Sequence, residues 1–204
     1  MGELHVNMNI TLDGVIQANG GPTEQDAGFA YAGWERPYGD EESGARITAD
    51  VQASDALLLG HTTYDIFRGY WPGQTDDIGR AFDRVPKYVA SRGTPELSWE
   101  SSTQVTDAVT DVRRLLERHE QIHTWGSANL LQTLFAEGLV DQLNLWVCPV
   151  VIGQGKKLFP DGTTASRFEL VEPPTAYPGG AMSLRYRRLG ALSKTVSDSG
   201  EAQG

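Results

Sequence analysis

Residues 123–160 read HTWGSANLLQTLFAEGLVDQLNLWVCPVVIGQGKKLFP, and this stretch decides the fold class. It opens at the end of a short apolar strand, Ile122 to Trp125, which Gly126 breaks. A helix is expected from Ser127, burying Leu130, Leu131, Leu134 and Phe135 at helical spacing and stopping at Gly138, the C-cap position. Leu143 to Ile152 then reads as a long apolar strand, broken by the loop Gly153-Gln154-Gly155-Lys156-Lys157. Strand, helix and strand at this spacing make a βαβ unit, and therefore a largely parallel α/β sheet.

Working outward, Leu4, Val6, Met8, Ile10 and Leu12 alternate with His5, Asn7, Asn9 and Thr11, the period of a first strand with one buried face, ended at Asp13-Gly14. Ala18 to Gly44 shows no sustained period and reads as one long irregular segment. A helix over about Ile47 to Ala53 precedes a buried strand, Ala56 to Leu59, and another helix follows from Thr63. Lys87 to Ala90 is a short strand left through Ser91-Arg92-Gly93. Val105, Val109, Val112, Leu115 and Leu116 form one face of a helix, with Asp107 and Asp111 near its start and Arg113, Arg114 and Arg118 near its end. Phe168 to Val171 and Met182 to Leu189 predict an antiparallel terminal hairpin. Residues 1–190 read as one domain, and 191–204 as a disordered tail.

The 204 residues carry 17 basic and 27 acidic side chains, a net charge of −10. Such a surface repels phosphate backbones and anionic lipid, so no nucleic-acid or membrane partner is expected. No apolar run reaches the roughly 20 residues of a spanning helix, and the N-terminus lacks the pattern of a signal peptide, so a cytoplasmic location is expected. Cys148 is the single cysteine and sits in an apolar strand as a small core residue. His5, His61, His119 and His123 share no ligand spacing, and no metal site is expected. His119 reads as a surface group and His5 as pointing away from the main core face. No GxSxG elbow supports a serine hydrolase.

Two strand–Gly–polar–helix junctions carry the candidate chemistry: Gly60-His61-Thr62-Thr63 and Gly126-Ser127-Ala128-Asn129. Each offers free backbone N–H groups and a positive helix end to a phosphate. Either alone reads first as plain helix capping; two in one sheet shift the balance towards phosphate. Ser91-Arg92 adds a hydroxyl and a guanidinium at a third strand end, suited to a phosphate monoester or to a solvated loop. In the long loop, Asp26, Glu35, Asp40, Glu41 and Glu42 lie near Phe29, Tyr31, Trp34 and Tyr38, where a carboxyl beside aromatics could relay a proton.

The order TLDGVI, LLLGHTTYDIF, KYVASR and then residues 123–160 resembles the dihydrofolate-reductase-like superfamily. It is most similar to the branch of the riboflavin-biosynthesis reductase domain, RibD C-terminal, and its stand-alone relatives. The resemblance spans Leu4 to Leu189 and is most specific over Gly126 to Phe159. It implies a single-domain dihydrofolate-reductase-like fold, a mostly parallel central sheet flanked by helices, and NADPH as cofactor. By position, Gly60, His61, Thr62 and Thr63 match the helix start under the cofactor phosphates, where relatives often carry Arg in place of His61. Ser91 and Arg92 match the adenosine-phosphate segment, and Gly126, Ser127, Ala128, Asn129 and Leu130 the pyrophosphate turn. Dihydrofolate reductases proper have a Gly-Gly pair there; this chain has Trp125-Gly126. Asp13, Gly14 and Ile16 match the strand end beside the nicotinamide. Asp26 stands nearest to the acid that anchors a pterin, with Phe29, Trp34 and Tyr38 as stacking candidates. The implied protein is an NADPH-dependent reductase of a small pterin-type or pyrimidine-type heterocycle, working as a homodimer. A non-catalytic NADP(H)-binding or nucleotide-binding homodimer is the alternative reading, and a domain used only for assembly is a third.

Overall fold

The structure, a computed structural model, describes residues 1–193 apart from 22, 24, 25 and 27. Its first strand, β1 (Glu3–Thr11), is flanked on both sides by parallel partners, β5 (Gln121–Thr124) and β6 (Gln142–Cys148). Outward from β5 run β2 (Ala56–Gly60), β3 (Lys87–Ala90) and β4 (Ser102–Val105), all parallel. Beyond β6 the sheet turns antiparallel through β9 (Met182–Ala191), which also pairs with β7 (Ser166–Leu170) and the short β8 (Thr175–Ala176). The order is β4-β3-β2-β5-β1-β6-β9-β7, with β8 on β9.

Helices α1 (Glu41–Ala53), α2 (His61–Arg68) and α3 (Asp77–Arg84) share one side of the sheet. There Leu57, Leu59 and Val89 pack with Val51, Tyr64 and Phe82. Helices α4 (Ala108–Leu115) and α5 (Ala128–Ala136) cover the other side, where Leu4, Val6, Leu58 and Ile122 meet Val112, Leu131, Leu134 and Phe135. With the first three helices on one side and the last two on the other, both faces of the parallel sheet are buried.

The α/β class, the parallel order and the antiparallel terminal strands agree with the expectation. Several boundaries do not. The strand expected to Ile152 ends at Cys148, because Pro149 has no N–H to continue a ladder. Val105 belongs to β4 and not to the helix, which starts at Ala108 under the Asp107 cap and ends at Leu115. α1 begins at Glu41, inside the stretch read as loop, behind a reciprocal Asp40–Ser43 capping box. β1 is buried on both faces: His5, Asn7 and Thr11 are covered as well as the apolar set. His119 is half-buried, its Nε2 2.9 Å from the Tyr88 hydroxyl. β9 runs to Ala191, one residue into the stretch expected as a tail; residues 194–204 lie outside the described part of the chain.

Candidate functional site

Because β1 to β6 are mutually parallel, the segments leaving β3, β2, β5, β1 and β6 line up along one sheet edge in that spatial order. Ser91-Arg92, Gly60-Thr63, Gly126-Leu130 and Asp13-Ile16 therefore form a row. From β3 to β1 it spans three strand steps, about 14 Å at roughly 4.8 Å each. At its centre, β2 passes into α2 on one side of the sheet while its neighbour β5 passes into α5 on the other. Adjacent strands feeding helices on opposite sides open a crevice, and in open α/β sheets ligands bind there.

The two junctions interlock. Gly60 donates its N–H to the Gly126 carbonyl at 3.1 Å. A Cβ added to Gly60 would lie 2.9 Å from Ser127 N, and one on Gly126 3.0 Å from Thr63 Oγ1. Gly126 itself has φ +125°, a conformation that favours glycine, and the Gly126–Ser127 peptide is cis. Helix capping fails as the explanation of the hydroxyls. α1, α3 and α4 each begin with an aspartate side chain bonded to the first turn. α2 and α5 begin at Gly60 and Ser127 with no side-chain cap and no acid in the first turn. In α5 the first backbone bond runs from Leu131 N–H to Ser127 O, so the N–H groups of Ala128, Asn129 and Leu130 precede the helical ladder. Leu130 offers only its backbone, since its side chain is in the core.

The His61 imidazole lies 3.4 Å from Asp65, along its own helix. At the β3 end, the Gln104 side-chain amide donates to the carbonyls of Ser91 and Gly93 at 3.0 and 2.6 Å. This braces the turn and leaves Arg92 exposed on it. At the β1 end, the chain is laced to the segment after β6. Leu12 N–H donates to Val150 O, Ile16 N–H to Lys156 O, and Leu158 N–H to Gly14 O. Asp13 locks the pair by accepting from Thr11 Oγ1 at 2.6 Å, Gly153 N at 2.7 Å and Ile152 N at 3.2 Å. The Thr11 hydroxyl first, then the Gly153 amide, hold its carboxyl down at about 2. Asp13 thus remains an anion committed to the loop, and Ile16 points its side chain into the core.

The long loop folds over the end of β6, where Trp34, Cys148 and Ala181 pack with Phe29, Tyr38, Val150 and Ile152. Trp34 is buried and donates its indole N–H to Gln17 O at 2.8 Å, so it serves the loop and presents no free face. Phe29 and Tyr38 are half-buried. Asp26 turns its carboxylate inward, accepting from Thr23 N and Oγ1 at 3.0 and 2.8 Å. Glu35 differs. One carboxylate oxygen accepts from Gly20 N at 2.8 Å, while Oε2 is buried with no partner among the described residues. A buried carboxylate oxygen without a donor is costly and marks a place for one. Trp125, half-buried directly before Gly126, was passed over in sequence; its ring packs against Phe82 and His123 at centroid distances of 5.1 and 5.9 Å. An aromatic at a strand end, one residue before a phosphate-type turn, was the available signal.

Comparison with known proteins gives the family and the fold. Residues 3–177 match the RibD C-terminal domain. The chain belongs to that family. YyaP of Bacillus subtilis (strain 168), described as uncharacterized, is 25% identical over 192 residues, covering 89% of this chain and 92% of its own. Among solved structures, a putative riboflavin biosynthesis protein from Shewanella sp. PV-4 superposes with a TM-score of 0.66 at 16% identity, covering 91% of this chain and 98% of that one. Dihydrofolate reductase from Enterococcus faecalis, solved in complex with NADP(H), gives 0.58 at 14% identity, with 92% and 97% covered. The fold of this RibD C-terminal domain is thus dihydrofolate-reductase-like.

A dinucleotide fits the RibD C-terminal crevice on its own terms. The glycines at 60 and 126 stand where a side chain would collide across the two junctions, and two helix starts present uncapped donors. An anionic pyrophosphate is the complement of such a pair.

Proposed function

We propose that this chain is an NADPH-dependent reductase acting on a small, planar nitrogen heterocycle of the pterin or pyrimidine type. The observation that carries the reading is the pair of interlocked, uncapped helix starts at Gly60 and Ser127, with exposed Arg92 at one end of the row and the braced β1 exit at the other. The backbone N–H groups of residues 61–63 and 128–130 hold the pyrophosphate, and Arg92 holds the 2′-phosphate with its planar fork of donors. The Asp13 latch, with Gly14 and Ile16, fixes the strand end against which the nicotinamide rests. The bound cofactor supplies the hydride.

The substrate is placed by the loop. Glu35 Oε2 accepts an N–H of the heterocycle, the partner this oxygen lacks among the described residues. Glu35 takes this role in preference to Asp26, whose Oδ2 already accepts two bonds from Thr23. Phe29 and Tyr38, packed with Trp34 of the same loop, provide apolar ring surface.

The test is a titration with NADPH and with NADH, followed by tryptophan quenching and calorimetry, then a turnover screen of pterins and deaminated pyrimidines. Selective NADPH binding with turnover is expected, and Glu35→Gln should raise KM more than Asp26→Asn. Binding without turnover of any heterocycle returns the chain to a nucleotide-binding role; absence of binding refutes the reading.

We further infer a homodimer. A cleft of about 420 Å³ on the α5 side is lined by Phe135, Leu143, Leu145, Phe159, Phe168 and Tyr186 with Thr163 to Ser166, and none of these is charged. Two copies of net charge −10 repel least where they meet on such a face. Phe168→Glu should shift sedimentation from dimer to monomer; an unchanged dimer excludes this face.

A further inference from the structure

At the opposite end of the sheet, where β1, β5 and β6 begin, a second cleft of about 290 Å³ opens between the C-terminal half of α1 and the strands. Its lining is polar apart from Ala53 and Val171, and its construction is directional. Gln142 Nε2 donates to Asn144 Oδ1 at 2.8 Å, and Asn144 Nδ2 donates to Asn7 Oδ1 at 2.9 Å. Since Asn7 Oδ1 accepts, its Nδ2 is the donor facing His123 Nδ1 at 3.2 Å. The proton of neutral His123 therefore sits on Nε2. That nitrogen, on a side chain 99% buried, has no acceptor among the described residues. Three amides in series thus end in an unused donor, stacked under His5 at 5.0 Å. His5 Nε2 in turn lies 3.0 Å from Glu3.

The cleft's second unused donor is Arg185 Nε, on a residue 4% exposed. Its NH2 bonds Asp50 at 2.6 Å, but Nε finds only Glu172 Oε1, at 3.2 Å and poorly directed. The same Glu172 oxygen is held at 2.7 Å by Arg46. One oxygen of a half-exposed side chain, on the connector after β7, is thus shared by two arginines. Exposed Arg187 stands at the mouth.

We propose that this cleft is a second ligand site, for the carboxylate or phosphate group of a small molecule, with the Glu172 carboxylate as its internal stand-in. The ligand's oxyanion displaces Glu172, bridges Arg46 and Arg185 Nε, and draws the His123 Nε2 proton into a hydrogen bond at the cleft floor. No covalent step is involved. The site lies across the sheet from the crevice at Gly60 and Gly126, so it stands whether or not the reductase reading does.

The test follows the imidazole resonances of the intact protein, which has four histidines, as acetate or inorganic phosphate is added, with chloride matching the ionic strength. Saturable shifts at His123 and His5 are expected with at least one of the two anions, and which one saturates names the ligand's head group. His61, beside the other crevice, reports any binding there separately. Glu172→Gln removes the competing carboxylate and should tighten the anion, while Arg46→Gln should weaken it roughly tenfold through loss of a charge-assisted contact. Shifts no larger than those of chloride overturn the proposal. So does weaker or unchanged anion binding in folded Glu172→Gln, the outcome a purely structural ion-pair cluster requires.

Discussion

Gly60→Ala tests the crevice with a single methyl. Gly60 has φ −69° and ψ 153°, an extended backbone that alanine adopts freely, so the substitution brings no conformational penalty. What it meets is Ser127, whose Oγ would lie nearest and whose Cβ and N would both lie 2.9 Å from the new carbon. Relief requires the two junctions to part by roughly 0.5–1 Å, at an overpacking cost of about 1–3 kcal/mol. For a chain of this size that is a fall in Tm of roughly 2–12 °C. If both helix starts grip one pyrophosphate, moving one of them loses at least one charge-assisted hydrogen bond, about 1.5–3 kcal/mol, so NADPH should bind about ten- to a hundredfold more weakly. Calorimetric titration and thermal melting on the same sample separate the two effects. Gly60→Ala/Ser127→Gly should recover part of both, since it removes the Ser127 carbon but leaves its backbone N in place. Gly14→Ala is the contrast: with φ +84° and no atom within 4 Å of the added carbon, it carries backbone strain of about 1–2 kcal/mol without touching the junctions. A destabilised Gly60→Ala protein that binds NADPH within about twofold of the parent would show that the contact is packing alone, and the cofactor assignment of this crevice would be withdrawn.

Arg92→Ala should weaken NADPH by about 1.5–3 kcal/mol and leave NADH nearly unchanged; equal losses would remove Arg92 from the 2′-phosphate. Asp13→Asn should loosen the latch to Ile152 and Gly153 and speed proteolysis within 149–158. Because the Asp13 pKa is lowered to about 2, its stabilising effect is complete above the unfolded value of 3.8 and fades as pH falls towards 2, so parent and variant should converge in acid. Burial first, then the nearby charges of His5 and Arg185, hold His123 at about 3, well below 6.5. A histidine kept neutral this way stabilises above pH 6.5 and loses that contribution as pH falls towards 3, by up to about 1.4 kcal/mol per pH unit. Urea unfolding between pH 4 and 7 should therefore show a steeper acid limb in the parent than in His123→Gln, and parallel limbs would exclude His123 as the source.

The elements legible in sequence were those whose burial is written locally. α5 and β2 carry apolar residues at their own period, and Gly126 and Gly138 punctuate them. What escaped has little apolar content: β4 is the polar strand STQV at a sheet edge, and α3 buries only Gly79, Ala81 and Phe82. Caps could have found α3 and the start of α1, because Asp76 and Asp40 each sit three residues before the N–H they hold. The crevice was legible for a similar reason, since its glycines and helix starts are local features. The hydrogen-bonding of the loop carboxylates was not. Asp26 and Glu35 share one loop, and which is satisfied and which is not follows from Thr23 and Gly20, a matter of tertiary placement.

The polar face of β1 shows the limit most sharply. Alternation there predicted a wet side, yet α1 and β9 cover it, and His5, Asn7, His123, Asn144 and Arg185 are all buried. Period two says which residues share a face; it does not say whether water or protein lies over that face. A buried face built of histidine, asparagine and arginine must find its partners within the protein or in a ligand, because unsatisfied donors there cost more than an apolar surface would. On this face the partners among the described residues run out at His123 Nε2 and Arg185 Nε, which is why that end of the molecule, and not only the crevice at Gly60 and Gly126, is where a second bound molecule should be sought.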